Sequence, residues 1–291
     1  MNNLPKISIC TITYGHENYI SQCIEGVLMQ EGDFELEFII SSDHSPDNTA
    51  IIVEDFMKNH PKGKFIKFIN HQENMGIMPN FHSTLKQATG DYVALCDGDD
   101  YWTDPLKLQK QLHFLEKNRE IVAVGHNTRI FDNTNKVVLD SSFPFKNEFQ
   151  IDENLIYKRN YIPALSLFFR NIKPVPDWFL QCKIGDYPLI LYLSQFGKLG
   201  FQYDVMADYR KFSGYHSNES VSKRNNMLAD TLEIALLNLN KLTLIQKKLL
   251  QEQIVKLKIN GSLNFVAKIQ TVFSSDVSFF NKLKLLILIL K

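Results

Sequence analysis

Three carboxylates, Asp97, Asp99 and Asp100, crowd the end of the apolar run Tyr92–Cys96. Groups this close repel one another, and two readings answer the repulsion. Either the loop is acidic with each carboxylate in solvent or on a cap, or it holds a hard divalent cation, Mg²⁺ or Mn²⁺. Such ions take one or two protein carboxylates and complete their shell with substrate phosphates rather than a closed cage. Gly98, between the first two, lets the backbone turn closely around a ligand. Thr11, Thr13 and Tyr14 end the β-rich run that begins at Ile7, where backbone and an aromatic ring can receive a base. Asp43 follows Phe38–Ser41 and reads either as an Asx-turn or as an acceptor for the imide N–H of a uracil or thymine. Asn74 and Gly76 follow a third apolar run, and Asn80 opens the next helix, where N–H groups can meet an anion. Gly76 alone also fits a plain left-handed turn. Next to the carboxylates, Tyr101 and Trp102 form either a platform under a sugar or acceptor, or rim packing.

The elements that must position these residues alternate between two periods. Short β-rich runs at Ile7–Thr13, Phe38–Ser41, Phe65–Ile69, Tyr92–Cys96 and Ile121–Gly125 predict strands. Between them, Ile20, Cys23, Ile24, Val27 and Leu28 recur at helical spacing. Further helices are predicted at Thr49–Lys58 with Asp47 at its start, at Phe81–Ala88 ended by Gly90, and from Pro105 to about Lys117. This alternation means a mostly parallel sheet covered on both faces, with ligands beyond the carboxyl ends of the strands. From about Phe131 to Asn160 the pattern loosens into loops. Ile184–Gly197 reads as a helix and Leu199–Tyr203 as a strand. Residues 228–272 read as two helices, with Thr243 and Gln246 as a capping box for the second.

A chain of 291 residues predicts one large domain or one domain with an appendage. Its 44% hydrophobic and 22% charged residues are those of a globular protein, which excludes disordered, collagen-like and disulfide-scaffold classes. Lys+Arg and Asp+Glu are both 32, so the basic excess expected of a nucleic-acid binder is missing. Cys10, Cys23, Cys96 and Cys182 form no CxxC and sit in apolar surroundings, as reduced core residues do. No secretory leader pattern precedes Ile7, so a cytoplasmic location is expected. No run approaches the roughly 18 apolar residues needed to span a bilayer. The tail FFNKLKLLILILK from Phe279 either lies in a membrane interface, at the inner face, or docks as a last helix on its own domain. No GxxxxGK[ST] or GxGxxG occurs, which counts against P-loop enzymes and dinucleotide binders.

Taken together, the motifs resemble the family 2 glycosyltransferases of GT-A fold. ISICTITYGHENYI resembles that family's first strand and nucleotide loop, and EFIISSDHSPDNT its second strand and Asp-Ser turn. NMGIMPNFHSTLKQATGDYVALCDGDDYW resembles its longest signature, ending in the DxD. The likeness is close over residues 5–125 and continues to about 222. It implies a Rossmann-like, mostly parallel α/β sheet over residues 1–222, with a nucleotide-sugar half of about 1–125 and an acceptor half of about 126–222. Residues 223–291 then form a C-terminal helical region.

The resemblance also implies roles. Thr11, Thr13 and Tyr14 would line the nucleoside pocket, with Asp43 on the base and Asn74, Gly76 and Asn80 beside the nucleotide. Asp97 would face the ribose and diphosphate, and Asp99 would hold Mn²⁺ or Mg²⁺. Asp100, Tyr101 and Trp102 would lie on the acceptor side. Asp186, in IGDYP, would be the catalytic base. MADYRKFSGYHSNESVS would be the loop closing over the diphosphate, with Arg210 on phosphate. Family members often carry His two residues after this Arg, where Phe212 stands here; His216 is then either a metal ligand or a surface histidine. The implied activity is inverting, metal-dependent transfer from a nucleotide sugar, a UDP-sugar first, to a hydroxyl of a saccharide or lipid-linked acceptor. Alternatives are a non-catalytic scaffold that keeps the fold, and a sugar nucleotidyltransferase, which would need a Gly-rich loop where this chain has only Gly15.

Overall fold

The computed structural model describes residues 4–131, 137–139, 149–211, 218–262, 265–275 and 277–290. Its first half is built from β1 (Lys6–Thr13), α1 (Ile20–Leu28), β2 (Glu35–Ser42), α2 (Thr49–Asn59), β3 (Ile66–Asn70), α3 (Ile77–Gln87) and β4 (Tyr92–Leu95). The four strands pair in parallel in the order β3-β2-β1-β4. Next come β5 (Tyr101–Trp102), α4 (Lys107–Lys117), β6 (Ile121–Phe131), β7 (Val137–Leu139), β8 (Phe149–Gln150), β9 (Phe168–Arg170), α5 (Asp186–Leu193) and β10 (Lys198–Arg210). The sheet continues past β4 as β9-β6-β10-β5, with β9 antiparallel to both β4 and β6.

The sheet divides two cores, and the period of two along each strand assigns residues to them. Ile7, Ile9, Phe38, Ile40 and Ala94 face α1 and α4 with Ile20, Ile24, Leu108 and Leu112. Cys10, Ile39, Val93 and Leu95 face the other way, onto Leu85 of α3 and Leu189 and Ile190 of α5. Strands buried on both faces read as continuous apolar runs, which is why β1, β2 and β4 are conspicuous in the sequence. All four cysteines are free and buried.

Several boundaries differ from the sequence-based expectation. α3 begins at Ile77, with Gly76 as its N-cap at φ 91°, so Asn80 lies inside the helix rather than at its opening. Gly90 is not a left-handed cap: α3 ends at Gln87, and a Cβ at Gly90 would come 2.7 Å from the Lys6 carbonyl oxygen. β6 and β10 run on to Phe131 and Arg210, because their polar second halves still pair with each other in parallel register. Buried His126, Asn127 and Thr128 belong to this stretch, and their polarity hides the strand from a hydrophobic pattern.

Beyond the sheet come α6 (Val221–Asn238), α7 (Leu244–Gly261), α8 (Phe265–Ser274) and α9 (Phe279–Leu290). Three helices, rather than two, therefore cover residues 228–272. Ala229 and Leu232 of α6 and Leu250 and Ile254 of α7 join the core that contains α5. α7 opens on the expected capping box: Thr243 Oγ1 accepts the Gln246 N–H and the Gln246 side chain accepts the Thr243 N–H. In the tail helix α9, Leu285 is buried with Val255, Ile259, Val272 and Val277, so this helix docks on its own chain. Among the described residues no helix is long and apolar enough to cross a membrane.

Candidate functional site

The acidic loop is an extension of the β1–β4 pairing. Cys96 N–H donates to the Cys10 carbonyl at 3.3 Å and Gly98 N–H to the Ile12 carbonyl at 3.0 Å, which carries the chain along β1 past the end of β4. A Cβ at Gly98 would meet Thr13 Oγ1 at 2.6 Å and His16 Nδ1 at 3.0 Å, so the loop closes this tightly only on glycine. Asp100 N–H then turns back to the Asp97 carbonyl at 3.0 Å. Asp97 is left part-exposed at the carboxyl end of the sheet, with Asp99 beside it at 8% exposure.

Asp186 reaches the same place from the other half of the chain. It is the first residue of α5, with Gly185 as N-cap. Asn160 Nδ2 donates to its Oδ2 at 3.0 Å, while Asn160 Oδ1 accepts the Ile162 N–H at 2.9 Å. The amide is therefore fixed by its own turn and holds one carboxylate oxygen of Asp186 in place.

The electrostatics confirm the convergence. Burial, then the charges of Asp99 and Asp186, push the Asp97 carboxyl up to about 8. The Tyr209 hydroxyl, one residue before the end of β10, is raised by burial and then by Asp100, Asp99, Asp186 and Asp97. From the β1 side, burial lowers the His16 imidazole while the charges of Asp99 and Asp47 act to raise it. Carboxylates this close repel when ionised, and a hard cation would suit them. Among the described residues no three His, Cys, Asp or Glu side chains converge tightly enough to cage an ion. The donor set would suit an open site in which Asp99 supplies a protein oxygen beside Asp97 and a substrate supplies the remaining ligands.

On the β2 side, Asp43 sits at 4% exposure with both oxygens on one turn: Oδ1 accepts the Met75 N–H at 2.8 Å and Oδ2 the Gly76 N–H at 2.9 Å. Asn74 Nδ2 closes the turn on the Asp43 carbonyl at 3.1 Å. A carboxylate has about four acceptor positions, so Asp43 shapes this turn and still has capacity for a ligand N–H. Tyr14 stands half exposed at the end of β1, and Thr13 Oγ1 pairs with His16 Nδ1 at 3.1 Å. Thr13, Tyr14, Asp43, Asn74, Gly76, Asp97, Asp99 and Asp186 thus follow strand ends or face the acidic loop.

Four expected site residues are not brought to that cleft. Thr11 is fully buried and donates to the Cys96 carbonyl at 2.6 Å, tying β1 to β4. Asn80 is 2% exposed; its side chain accepts from Ser41 Oγ and donates to the Ser41 carbonyl, and its N–H is taken by Gly76. Asp100 is 3% exposed and accepts the backbone N–H of Arg210 at 3.0 Å, locking β10 to the loop. Trp102 is 1% exposed, donates Nε1–H to the Leu165 carbonyl at 2.9 Å, and has Lys107 Nζ 3.8 Å from its ring centroid. A buried indole offers no platform to a sugar. Tyr101 is half-buried and stacks against Arg210, whose guanidinium lies 4.9 Å from the Tyr19 centroid, 5.0 Å from that of Tyr101, and on Gln22 Oε1. Arg210 is therefore held as a stacked cation at the α1 rim. His216 and Phe212 lie outside the described residues.

Sequence reasoning passed over His16, Asn160 and Tyr209. His16 and Tyr209 each stand within two residues of a residue that was singled out, at a strand end, so that position was a usable signal. Asn160 had none, because its partner is in another element.

The profile described as Glycosyl transferase family 2 matches residues 8–173. An uncharacterized protein of Mycobacterium tuberculosis is 35% identical over 191 residues, 61% of this chain and 53% of that protein. The putative glycosyltransferase EpsE of Bacillus subtilis is 35% identical over 132 residues, 45% of this chain and 46% of its own. The chain thus spans about half the length of these curated relatives. Among solved structures, S. aureus TarS 1-349 in complex with UDP superposes with a TM-score of 0.64 at 18% identity, covering 92% of this chain and 78% of that one. The mannosyltransferase PcManGT of Pyrobaculum calidifontis, in complex with GDP-Man and Mn²⁺, gives 0.63 at 14% identity, covering 98% and 80%. At such identities the structures speak for the fold, which is GT-A. The strand-end cleft, the acidic loop and the match over more than half of the chain lead to one conclusion: this protein belongs to glycosyltransferase family 2.

Proposed function

We propose that the chain is an inverting, metal-dependent glycosyltransferase that moves a sugar, a hexose or N-acetylhexosamine, from a UDP-sugar to a hydroxyl of a saccharide or lipid-linked acceptor, in surface polysaccharide synthesis. The observation that carries the reading is the convergence of Asp186, from the second half of the chain, on Asp97 and Asp99, from the first. A divalent cation at Asp99, when bound, would neutralise the charge that develops on a diphosphate leaving group. Asp99 and Asp97 hold that end of the donor, while Tyr14 and Asp43 receive the nucleoside. Asp186, one of whose carboxylate oxygens Asn160 holds, takes the proton from the attacking hydroxyl. With Asp186 as the single base opposite the leaving group, displacement is direct and inverts the anomeric centre. A nucleoside binds tightly only if it matches the Asp43 turn, and UDP is the first choice because TarS, of the same fold, is seen with UDP.

The test is a thermal-shift screen of nucleoside diphosphates and nucleotide sugars, with and without Mn²⁺. Ligand that binds the native state alone must raise its stability by mass action. A metal-dependent shift with UDP compounds that vanishes in Asp99→Ala establishes the donor site. A shift with GDP compounds alone moves the donor class, and no shift with any nucleotide points to the scaffold alternative.

A further inference from the structure

The connection between α6 and α7 is apolar on both of its faces. Its inner leucines, Leu239 and Leu242, are buried at 3% and 9% exposure, but Leu237 and Leu244 stand 83% and 86% exposed and Ile245 63%. No other large hydrophobic side chains among the described residues are as open as the two leucines. Single exposed leucines are ordinary on a protein surface; three within nine residues are not. Phe196, 46% exposed, adjoins them, its ring 4.7 Å from Lys241 Nζ.

The same tip is basic. Lys241, Lys247 and Lys248 are exposed, and from Leu237 to Lys248 there is no Asp or Glu. Neither Lys247 nor Lys248 has an ion-pair partner among the described residues. The amino end of α7 adds its own partial positive charge. The capping box satisfies the Thr243 and Gln246 N–H groups internally, which lowers the cost of bringing this helix start to a membrane interface.

We propose that the α6–α7 tip is a membrane-docking surface, with Leu237, Leu244 and Ile245 entering the acyl boundary of an anionic bilayer and Lys241, Lys247 and Lys248 on its headgroups. Charge decides the occupant. A second copy docked through the same patch would set three lysines against three lysines, whereas anionic lipid complements them. The tail helix is a weaker candidate because Leu285 is already buried on its own chain. Lys241 anchors the tip to the Gln195 carbonyl at 3.3 Å, just beyond α5, whose first residue is Asp186. Docking therefore engages the end of α5 away from the acidic loop, about 12 Å of helix from Asp186. The assignment does not depend on the reaction that Asp186 performs.

The experiment is co-sedimentation of the full chain with vesicles of phosphatidylcholine alone and of an equimolar mixture with phosphatidylglycerol. Binding is expected to the mixed vesicles only and to weaken with added salt. Lys247→Ala/Lys248→Ala should lower affinity about 25-fold, at about fivefold for each lysine, and Leu244→Ser/Ile245→Ser by roughly tenfold or more. All four residues are exposed, so unchanged melting temperatures show that the variants fold. Leu283→Ser in α9, also on an exposed residue, should bind as wild type. The proposal is overturned if wild type ignores the mixed vesicles, if only Leu283→Ser loses binding, or if sedimentation velocity shows a dimer that Leu244→Ser/Ile245→Ser dissolves.

Discussion

The two ends of the same strands treat carboxylates in opposite ways. At the amino end of β1 and β2, Glu37 accepts from the Ser8 hydroxyl, the Thr89 N–H and hydroxyl, and Lys6 Nζ. Burial alone would raise its carboxyl, but those donors hold it down at about 2. At the carboxyl end, burial and two neighbouring carboxylates push Asp97 up to about 8. The first end is satisfied by the protein and belongs to the architecture. At the second, carboxylates face one another and raise each other's hold on a proton. Burial is similar in kind at both ends; the donors around Glu37 and the carboxylates around Asp97 are what separate them.

The largest expected effect breaks the functional end. Asp186→Asn keeps the shape and the Asn160 contact but cannot take a proton, so turnover should fall about 10²–10⁴-fold. Donor affinity, read by thermal shift with a nucleoside diphosphate, should stay near wild type. Wild-type turnover in this variant would remove Asp186 from the role of base.

A second effect has the opposite sign from most core substitutions. Asp97→Asn should raise stability in metal-free buffer at neutral pH by on the order of 1–2 kcal/mol, a figure discounted for the water that reaches this part-exposed side chain. The folded carboxyl titrates at about 8 and the unfolded one near 3.8. Between those values the native state binds more protons than the unfolded chain, so stability falls as pH rises. The wild type should lose melting temperature from about pH 4 to about pH 8 relative to the variant. Parallel melting curves across that range would show that neither burial nor the charges of Asp99 and Asp186 raise the Asp97 carboxyl.

The comparison also explains what the sequence could and could not reveal. Asp97, Gly98 and Asp99 were legible because they follow a strand buried on both faces, and in such a sheet ligands meet strand ends. The Thr243–Gln246 capping box was legible because cap chemistry is local. Thr11, Asp100 and Trp102 were not distinguishable from their neighbours by type. At a strand end the next side chain points the other way, and those three point into the core, where each satisfies a backbone group or is satisfied by one. Asn80 looked like an opening residue only because the helix start was placed late; one turn of α3 precedes it. The continuation of β6 was hidden by buried polar residues such as His126. Asn160 was invisible for a different reason: its value lies in a contact to Asp186 that only the fold creates.

That contact is the next test. Asn160→Ala removes the bond to Asp186 Oδ2 and loosens the carboxylate without removing it. The expected loss is about tenfold in kcat with the donor KM unchanged, because misplacement acts on the chemical step. Asn160→Asp should do worse than Asn160→Ala, since it sets a further negative charge against Asp186. If Asn160→Ala lowers stability and leaves kcat alone, the amide serves only its own turn.

The smallest effect belongs to the structural end. Glu37→Gln keeps the size of the side chain but weakens the charge-assisted bonds from Ser8, Thr89 and Lys6, at a cost of about 1 kcal/mol given the solvent on its open side. Here the folded carboxyl titrates at about 2 and the unfolded one near 4.5, so the native state binds fewer protons between those values. Stability therefore falls as pH drops through that window, the reverse of the Asp97 slope. Wild type and Glu37→Gln should differ most above about pH 5 and converge towards about pH 2, while metal-dependent nucleotide binding remains equal in the two. A Glu37→Gln variant that lost nucleotide binding at unchanged melting temperature would mean that the amino end of the sheet communicates with the cleft, and the division between the two ends would fail.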